Sequence, residues 1–265
     1  IDMSAIPLVM LHGWALNLRV LDELVEALEA PASQPRFDIS RFDLPGHGRA
    51  PEPSDLYGDQ ADGAWDIGKV ADFLLKKMPA HCVLLGWSLG AKISLEIAAR
   101  APERIQGLVL ISATPKFARS DDWPHGANPA ALDALGRHLR DDYRRTVNDF
   151  LSLQVRGSVQ AEETLNNLRN ALLAQGECQP ATLLRSLRLL HQIDQRPRLP
   201  LIQAPTLVIA GQYDRVVHPS ATQAAAALIP NARYQELPRC GHAPFISHAH
   251  EVVELIQEFA AELTS

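Results

Sequence analysis

Apolar residues recur along this chain in two rhythms. Short apolar or alternating runs occupy residues 8–11, 38–43, 81–85, 107–112, 205–210 and 233–237, and their length and composition predict strands. Between them lie stretches with helical spacing. Residues 67–78 place Ile67, Val70, Phe73 and Leu74 on one face, and residues 89–100 do the same with Leu89, Ile93 and Ile97. Ala101-Pro102 stops the second of these helices. A closing amphipathic helix is predicted over 249–263, with Val252, Val253, Ile256 and Phe259 turned inward. Strands that alternate with helices predict an α/β protein with a mostly parallel central sheet covered on both faces.

The rhythm breaks in the middle. No strand-like run appears between Ser112 and Pro205, far more chain than the dozen or so residues a crossover helix needs. The segment opens in a polar loop, 115–129, shows helical patterns near 130–155, 161–174 and 180–193, and closes in Arg196-Pro197-Arg198-Leu199-Pro200. The prediction is a core built from 1–114 and 196–265, with 115–195 inserted as a helical lid. Such a lid covers the C-terminal edge of the strands, where open α/β sheets bind ligands.

Composition narrows the function classes. The chain has 265 residues, 46% of them apolar, and a formal net charge of −6. An acidic chain without a basic face is not expected to bind nucleic acid. No apolar run is long enough to span a bilayer, and the opening Ile1-Asp2 has no basic region of the kind that starts a secretory leader. Cys82, Cys178 and Cys240 show neither disulfide nor zinc spacing, which predicts reduced thiols in a cytoplasmic protein without a metal.

The segment with most chemistry is Gly86-Trp87-Ser88-Leu89-Gly90, a G-x-S-x-G motif between a predicted strand and a predicted helix. Serine there sits on a sharp turn that lifts its hydroxyl above the sheet edge, and the flanking glycines allow close approach of neighbouring elements. The following helix aims its N-terminus and the Leu89 N–H at the same point, a donor for an oxyanion. A serine needs a base. Of ten histidines, His242 follows the last predicted strand directly, whereas His125, His138, His191 and His250 sit in polar or helical settings. Asp214 follows the strand before it, giving the chain order Ser…Asp…His expected for such an elbow. Trp14, after the first strand in His12-Gly13-Trp14, is the expected second oxyanion donor, and His12 is expected to hold its loop by hydrogen bonds. The glycine-rich turn that begins at Asp43 lacks phosphate-loop spacing and reads as structural. Cys240 lies two residues before His242, but Ser88 is the better-placed nucleophile.

These motifs, spread over nearly the whole chain, resemble the α/β-hydrolase superfamily. The segment 11–17, Asp122-Trp123-Pro124, Arg145-Thr146-Val147, the segment 150–154 and the segment 242–248 narrow the resemblance to the pimeloyl-[acyl-carrier protein] methyl ester esterases of biotin synthesis. The resemblance implies a cofactor-free serine carboxylesterase whose partner is the acyl-carrier protein bearing the substrate. It implies substrate contacts at Trp14, Ser88, Leu89, Phe150, Gln154 and His242, and docking of the carrier protein by lid arginines. Arg145 matches one such position, while Asp149, Glu162 and Asn166 occupy others. Arg137, Arg140, Arg144, Arg156 and Arg169 offer either a shifted patch or a solvated face paired with Asp141, Asp142 and Asp149. Ala91-Lys92 departs from the resemblance where a further glycine is common. The same fold serves short-chain esterases, thioesterases, C–C bond hydrolases and receptors that keep a triad without turnover, so the fold alone does not choose among them.

Overall fold

The computed structural model describes residues 5–30, 35–57 and 63–264. Ile1-Asp2, on which the expectation about a leader rests, lies outside them. Six strands appear in chain order: β1 (Ile6–Leu11), β2 (Phe37–Phe42), β3 (Cys82–Trp87), β4 (Ile105–Ile111), β5 (Thr206–Gly211) and β6 (Ala232–Leu237). They form one sheet in the order β2-β1-β3-β4-β5-β6, and every pairing is parallel. The central strands β3 and β5 are buried along their whole length, whereas the edge strands β2 and β6 are mostly half-buried or exposed. Burial on both faces explains why the central strands read as continuous apolar runs and the edge strands as alternating ones.

Ten helices accompany the sheet among the described residues: α1 (Asp22–Leu28), α2 (Ile67–Leu75), α3 (Leu89–Arg100), α4 (Pro129–Asp141), α5 (Tyr143–Val155), α6 (Ala161–Gln175), α7 (Pro180–Gln192), α8 (Pro219–Leu228), α9 (Pro244–Ser247) and α10 (Ala249–Thr264). Helix α3 is buried from Leu89 through Ala98, so it is packed on all sides. Each buried Ile or Leu there contributes roughly 1.5–3 kcal/mol of transfer free energy. Helices α1 and α8 lie where no helical pattern was predicted. The single helix expected over 130–155 is two, because Asp142 (φ −150°, ψ 87°) ends α4 and its carboxylate caps α5 by accepting from Arg145 N at 3.1 Å.

Helices α4 to α7 are inserted between β4 and β5. The two ends of the insertion are tied together. Gln195 N donates to Pro115 O at 2.9 Å, Arg196 pairs with both Asp194 and Asp122, and Lys116 pairs with Asp194 at 3.6 Å. Glu52 links the insertion to the core, accepting from Trp65 Nε1 at 2.8 Å and from Thr182 Oγ1 on α7 at 2.6 Å.

The register fixes where chemistry can occur. Leu11 pairs with Gly86, Trp87 with Ile111, Ile111 with Ile209, and Gly211 with Leu237. The strands therefore finish nearly level, and the loops carrying Trp14, Ser88, Ser112, Asp214 and His242 all leave from one edge.

Candidate active site

Ser88 occupies a backbone conformation that non-glycine residues rarely adopt, φ 55° and ψ −114°, immediately before α3. Strain of this kind costs roughly 1–3 kcal/mol and persists only where neighbours enforce it. Those neighbours are visible. Ser88 N donates to Ile111 O at 3.0 Å, and a Cβ on Gly90 would lie 2.3 Å from Leu11 O. A Cβ on Gly86 would lie 2.5 Å from Gly90 O. Two close backbone approaches thus require glycine on either side of the serine.

Ser88, His242 and Asp214, far apart in the chain, come together. Ser88 Oγ is 2.9 Å from His242 Nε2, and His242 Nδ1 is 2.7 Å from Asp214 Oδ2. Asp214 Oδ1 accepts from Val216 N at 2.8 Å and Val217 N at 2.9 Å. With one carboxylate oxygen held by backbone and the other facing the ring, the network puts the imidazole proton on Nδ1 and leaves a lone pair on Nε2 for the serine. Asp194 is bound instead to Arg196 and Lys116.

The His242 main chain is clamped from three sides. Its carbonyl accepts from Trp87 Nε1 at 2.7 Å and Ser112 Oγ at 3.1 Å, and its N–H donates to Gln154 O at 2.8 Å. The Trp87 ring also packs edge-on against Phe245, with centroids 4.9 Å apart. Trp87 and Ser112 were not singled out from the sequence; the tryptophan beside Ser88 was the available signal.

His12 and Asp43 hold loops, as expected of them. His12 Nε2 accepts from Leu44 N at 2.9 Å and Nδ1 donates to Gly13 O at 2.8 Å, and burial pushes the ring down to about 3, so it stays neutral. Asp43 accepts from Leu18 N and Arg49 N. Cys240 is fully buried, and burial pushes its thiol up to about 12, away from the thiolate that a nucleophile needs.

A cavity of about 740 Å³ lies between the sheet edge and helices α4, α5 and α7. Trp14, Ser88, Leu89 and Phe150 line it, and the Trp14 and Phe150 rings meet edge to face at 4.9 Å. Trp14 is fixed from the inserted side: its indole Nε1 donates to Ser186 Oγ at 3.0 Å and Leu183 O at 3.3 Å on α7. Gln154 and His242, the other two expected substrate contacts, are not among the lining residues. The Gln154 side chain is buried, and its Oε1 has no hydrogen-bond partner among the described residues. Arg145 lines the cavity with a side chain 79% exposed and pairs with Asp149 at 3.7 Å, one turn along α5. Arg144 pairs with Glu177 at 3.7 Å. Among the described residues no group of three or more His, Cys, Asp or Glu is placed to hold a metal ion.

A strained serine elbow, a hydrogen-bonded Ser–His–Asp relay and a parallel sheet define a serine hydrolase of the α/β type. The family model described as alpha/beta hydrolase fold matches residues 6–249. The chain belongs to this family and, within it, to the pimeloyl-[acyl-carrier protein] methyl ester esterases. It is 42% identical over 257 residues to the pimeloyl-[acyl-carrier protein] methyl ester esterase of Stenotrophomonas maltophilia (strain K279a), covering 97% of this chain and 93% of that one. It is 37% identical over 247 residues to the esterase of the same name from Nitrosomonas europaea, covering 93% and 92%. Among solved structures, an esterase from Exiguobacterium antarcticum superposes with a TM-score of 0.80 at 21% identity, over 99% of this chain and 93% of that one. The enol-lactonase from Burkholderia xenovorans LB400 gives 0.80 at 22%, over 97% and 92%. At those identities the likeness is one of fold.

Proposed function

We propose that this chain hydrolyses the methyl ester of pimeloyl-acyl-carrier protein in biotin synthesis, in the cytoplasm, with Ser88 as nucleophile, His242 as general base and Asp214 as the carboxylate that orients the base. The observation that carries the chemistry is the relay of 2.9 Å and 2.7 Å contacts opening from a strained elbow. The kinship with curated esterases of that substrate supports the choice of ester. Three free, buried thiols fit a reducing compartment. In this reading residues 115–195 form the lid, and residues 1–114 and 196–265 the core.

Ser88 Oγ attacks the ester carbonyl as His242 Nε2 takes its proton. The charge that develops on the carbonyl oxygen falls to the N–H groups of Leu89, at the positive end of α3, and Trp14. One such donor is worth roughly 3 kcal/mol of barrier. The imidazolium, steadied by Asp214, returns the proton to the departing methanol. Water, deprotonated by the same ring, then cleaves the acyl-enzyme to the free acid and regenerates Ser88. Trp14, Leu89 and Phe150 wall the acyl chain, and Gln154 supports the site from beneath the His242 loop. Arg145, on the cavity rim, is the lid arginine placed to meet the acidic carrier protein.

The test is methanol release from the methyl ester of pimeloyl-acyl-carrier protein beside a chromogenic butyrate ester. The expected result is turnover of both, with the carrier-bound ester preferred in kcat/KM. Turnover of the small ester alone would assign a general carboxylesterase. Turnover of neither would assign a receptor that keeps the triad.

A further inference from the structure

Lys92 lies one turn after Ser88 in α3, its N–H donating to Ser88 O at 3.1 Å. The side chain is 1% exposed. Its Nζ donates to Pro115 O at 3.0 Å and to Gln195 Oε1 at 3.3 Å, and Gln195 Nε2 returns a bond to Lys92 O at 3.0 Å. Both acceptors of the ammonium are neutral, and an ammonium has three N–H groups. Among the described residues, no carboxylate lies within 4.0 Å of Nζ. Asp194, the charge that acts on Lys92 from a distance, is already engaged by Arg196 and Lys116. Burial without a counter-ion pushes this ammonium down to about 7.

Lys92 is among the residues that line the same cavity as Ser88. Ser112 and Thr114, which also line it, spend their hydroxyl protons on His242 O and Lys116 O. Lys92 therefore has an N–H left to give and a charge left to neutralise, and unlike Arg145, Arg156 and Arg215, which also line the cavity, it is buried and lies one turn from Ser88. We propose that Lys92 forms a carboxylate-binding subsite of the cavity, taking the free acid released at Ser88 and other small carboxylates. The origin of that acid rests on the hydrolase reading above; the subsite itself does not. A carboxylate there completes the third hydrogen bond of the ammonium and supplies its counter-charge.

Calorimetric titration with hexanoate, against hexanamide and 1-hexanol as neutral matches, tests this without turnover. The wild-type protein and Ser88→Ala should bind hexanoate at least about tenfold more tightly than hexanamide, the gain expected of a charge-assisted hydrogen bond. Lys92→Met should lose that preference. Gln195→Ala, which removes the neighbouring hydrogen bond but keeps the ammonium, should retain it. Equal binding of acid and amide by the wild type overturns the proposal, and this comparison stands even if Lys92→Met fails to fold. A preference that survives in folded Lys92→Met also overturns it, by assigning the acid to a rim arginine. Absent ester turnover with an intact hexanoate preference would count against the hydrolase reading alone.

Discussion

Replacing Asp214 by asparagine tests the relay at a buried point. Asp214 Oδ1 accepts two backbone N–H groups, from half-buried Val216 and buried Val217, while Oδ2 meets His242 Nδ1 at 2.7 Å. An amide has one acceptor oxygen. Leaving a buried N–H unsatisfied costs about 1–3 kcal/mol, so that oxygen stays with the two valines and the NH₂ turns to the ring. The NH₂ only donates, so Nδ1 must accept and the ring proton moves to Nε2, where it faces Ser88 Oγ. The base then has no lone pair for the serine, and the imidazolium that forms has lost its counter-charge. Together these should lower kcat about 10⁴-fold, or roughly 5.5 kcal/mol at 1.36 kcal/mol per decade. KM should change little, because Asp214 does not line the cavity. Steady-state kinetics on p-nitrophenyl butyrate, with a thermal melt to establish folding, give the answer. A folded Asp214→Asn protein with kcat within about tenfold of wild type would refute the reasoning and place the orienting carboxylate elsewhere.

Ser88→Ala should fold as the wild type does and lose on the order of 10⁶-fold in kcat; activity near wild type would remove Ser88 as nucleophile. Gly90→Ala should lose about 3 kcal/mol or more in urea unfolding, because its Cβ would sit 2.3 Å from Leu11 O; a neutral result would mean that β1 and α3 can part at little cost. Burial lowers His12 to about 3 and His47 to about 4, below their unfolded value near 6.5. The unfolded chain then binds more protons between those limits, so the stability they lend is complete above about pH 6.5 and is lost as pH falls toward 4. The melting temperature should follow, with a shallower slope in His47→Gln; an unchanged slope would trace the acid sensitivity to other groups. Arg145→Glu should raise KM for the carrier-bound ester, as added salt does, and spare a small neutral ester; equal loss on both substrates would assign Arg145 to lid folding.

The elements that read most clearly were those whose environment is uniform. The central strands are apolar on both faces, so residues 81–85 and 205–210 stood out, and α10 showed a plain stripe. Helix α8 did not, because its buried face is small: Ala221, Thr222, Ala225 and Ala226 give little contrast with the residues around them. Helix α1 has only seven residues. The break at Asp142 was hidden because apolar spacing runs on from Leu139 to Val147, and a capping aspartate looks like any surface acid until its backbone is known. Ser88, Asp214 and His242 were legible because each follows a strand, and parallel strands of equal register deliver such residues to one edge. The clamp of Trp87 and Ser112 on His242 O was not, since it depends on how the last loop folds back over the sheet. Lys92 showed only as a misfit beside the elbow; its two hydrogen-bond partners come from the two ends of the insertion, residues that no local pattern joins.

The indole of Trp14 is fastened to Ser186 and Leu183 of α7, a helix that enters the chain more than 160 residues later. The inserted helices are therefore not an interchangeable cover. A chimaera that exchanged them for those of another hydrolase would have to bring an acceptor for that one N–H, or the residue proposed to stabilise the oxyanion would be left unmoored. Directed evolution of substrate range on α7 carries the same hidden cost: a change at Ser186 that removes its hydroxyl would surface as lost turnover. Libraries that hold Ser186 fixed and vary Leu187 and Leu190, which line the cavity without holding the indole, keep specificity and rate separable.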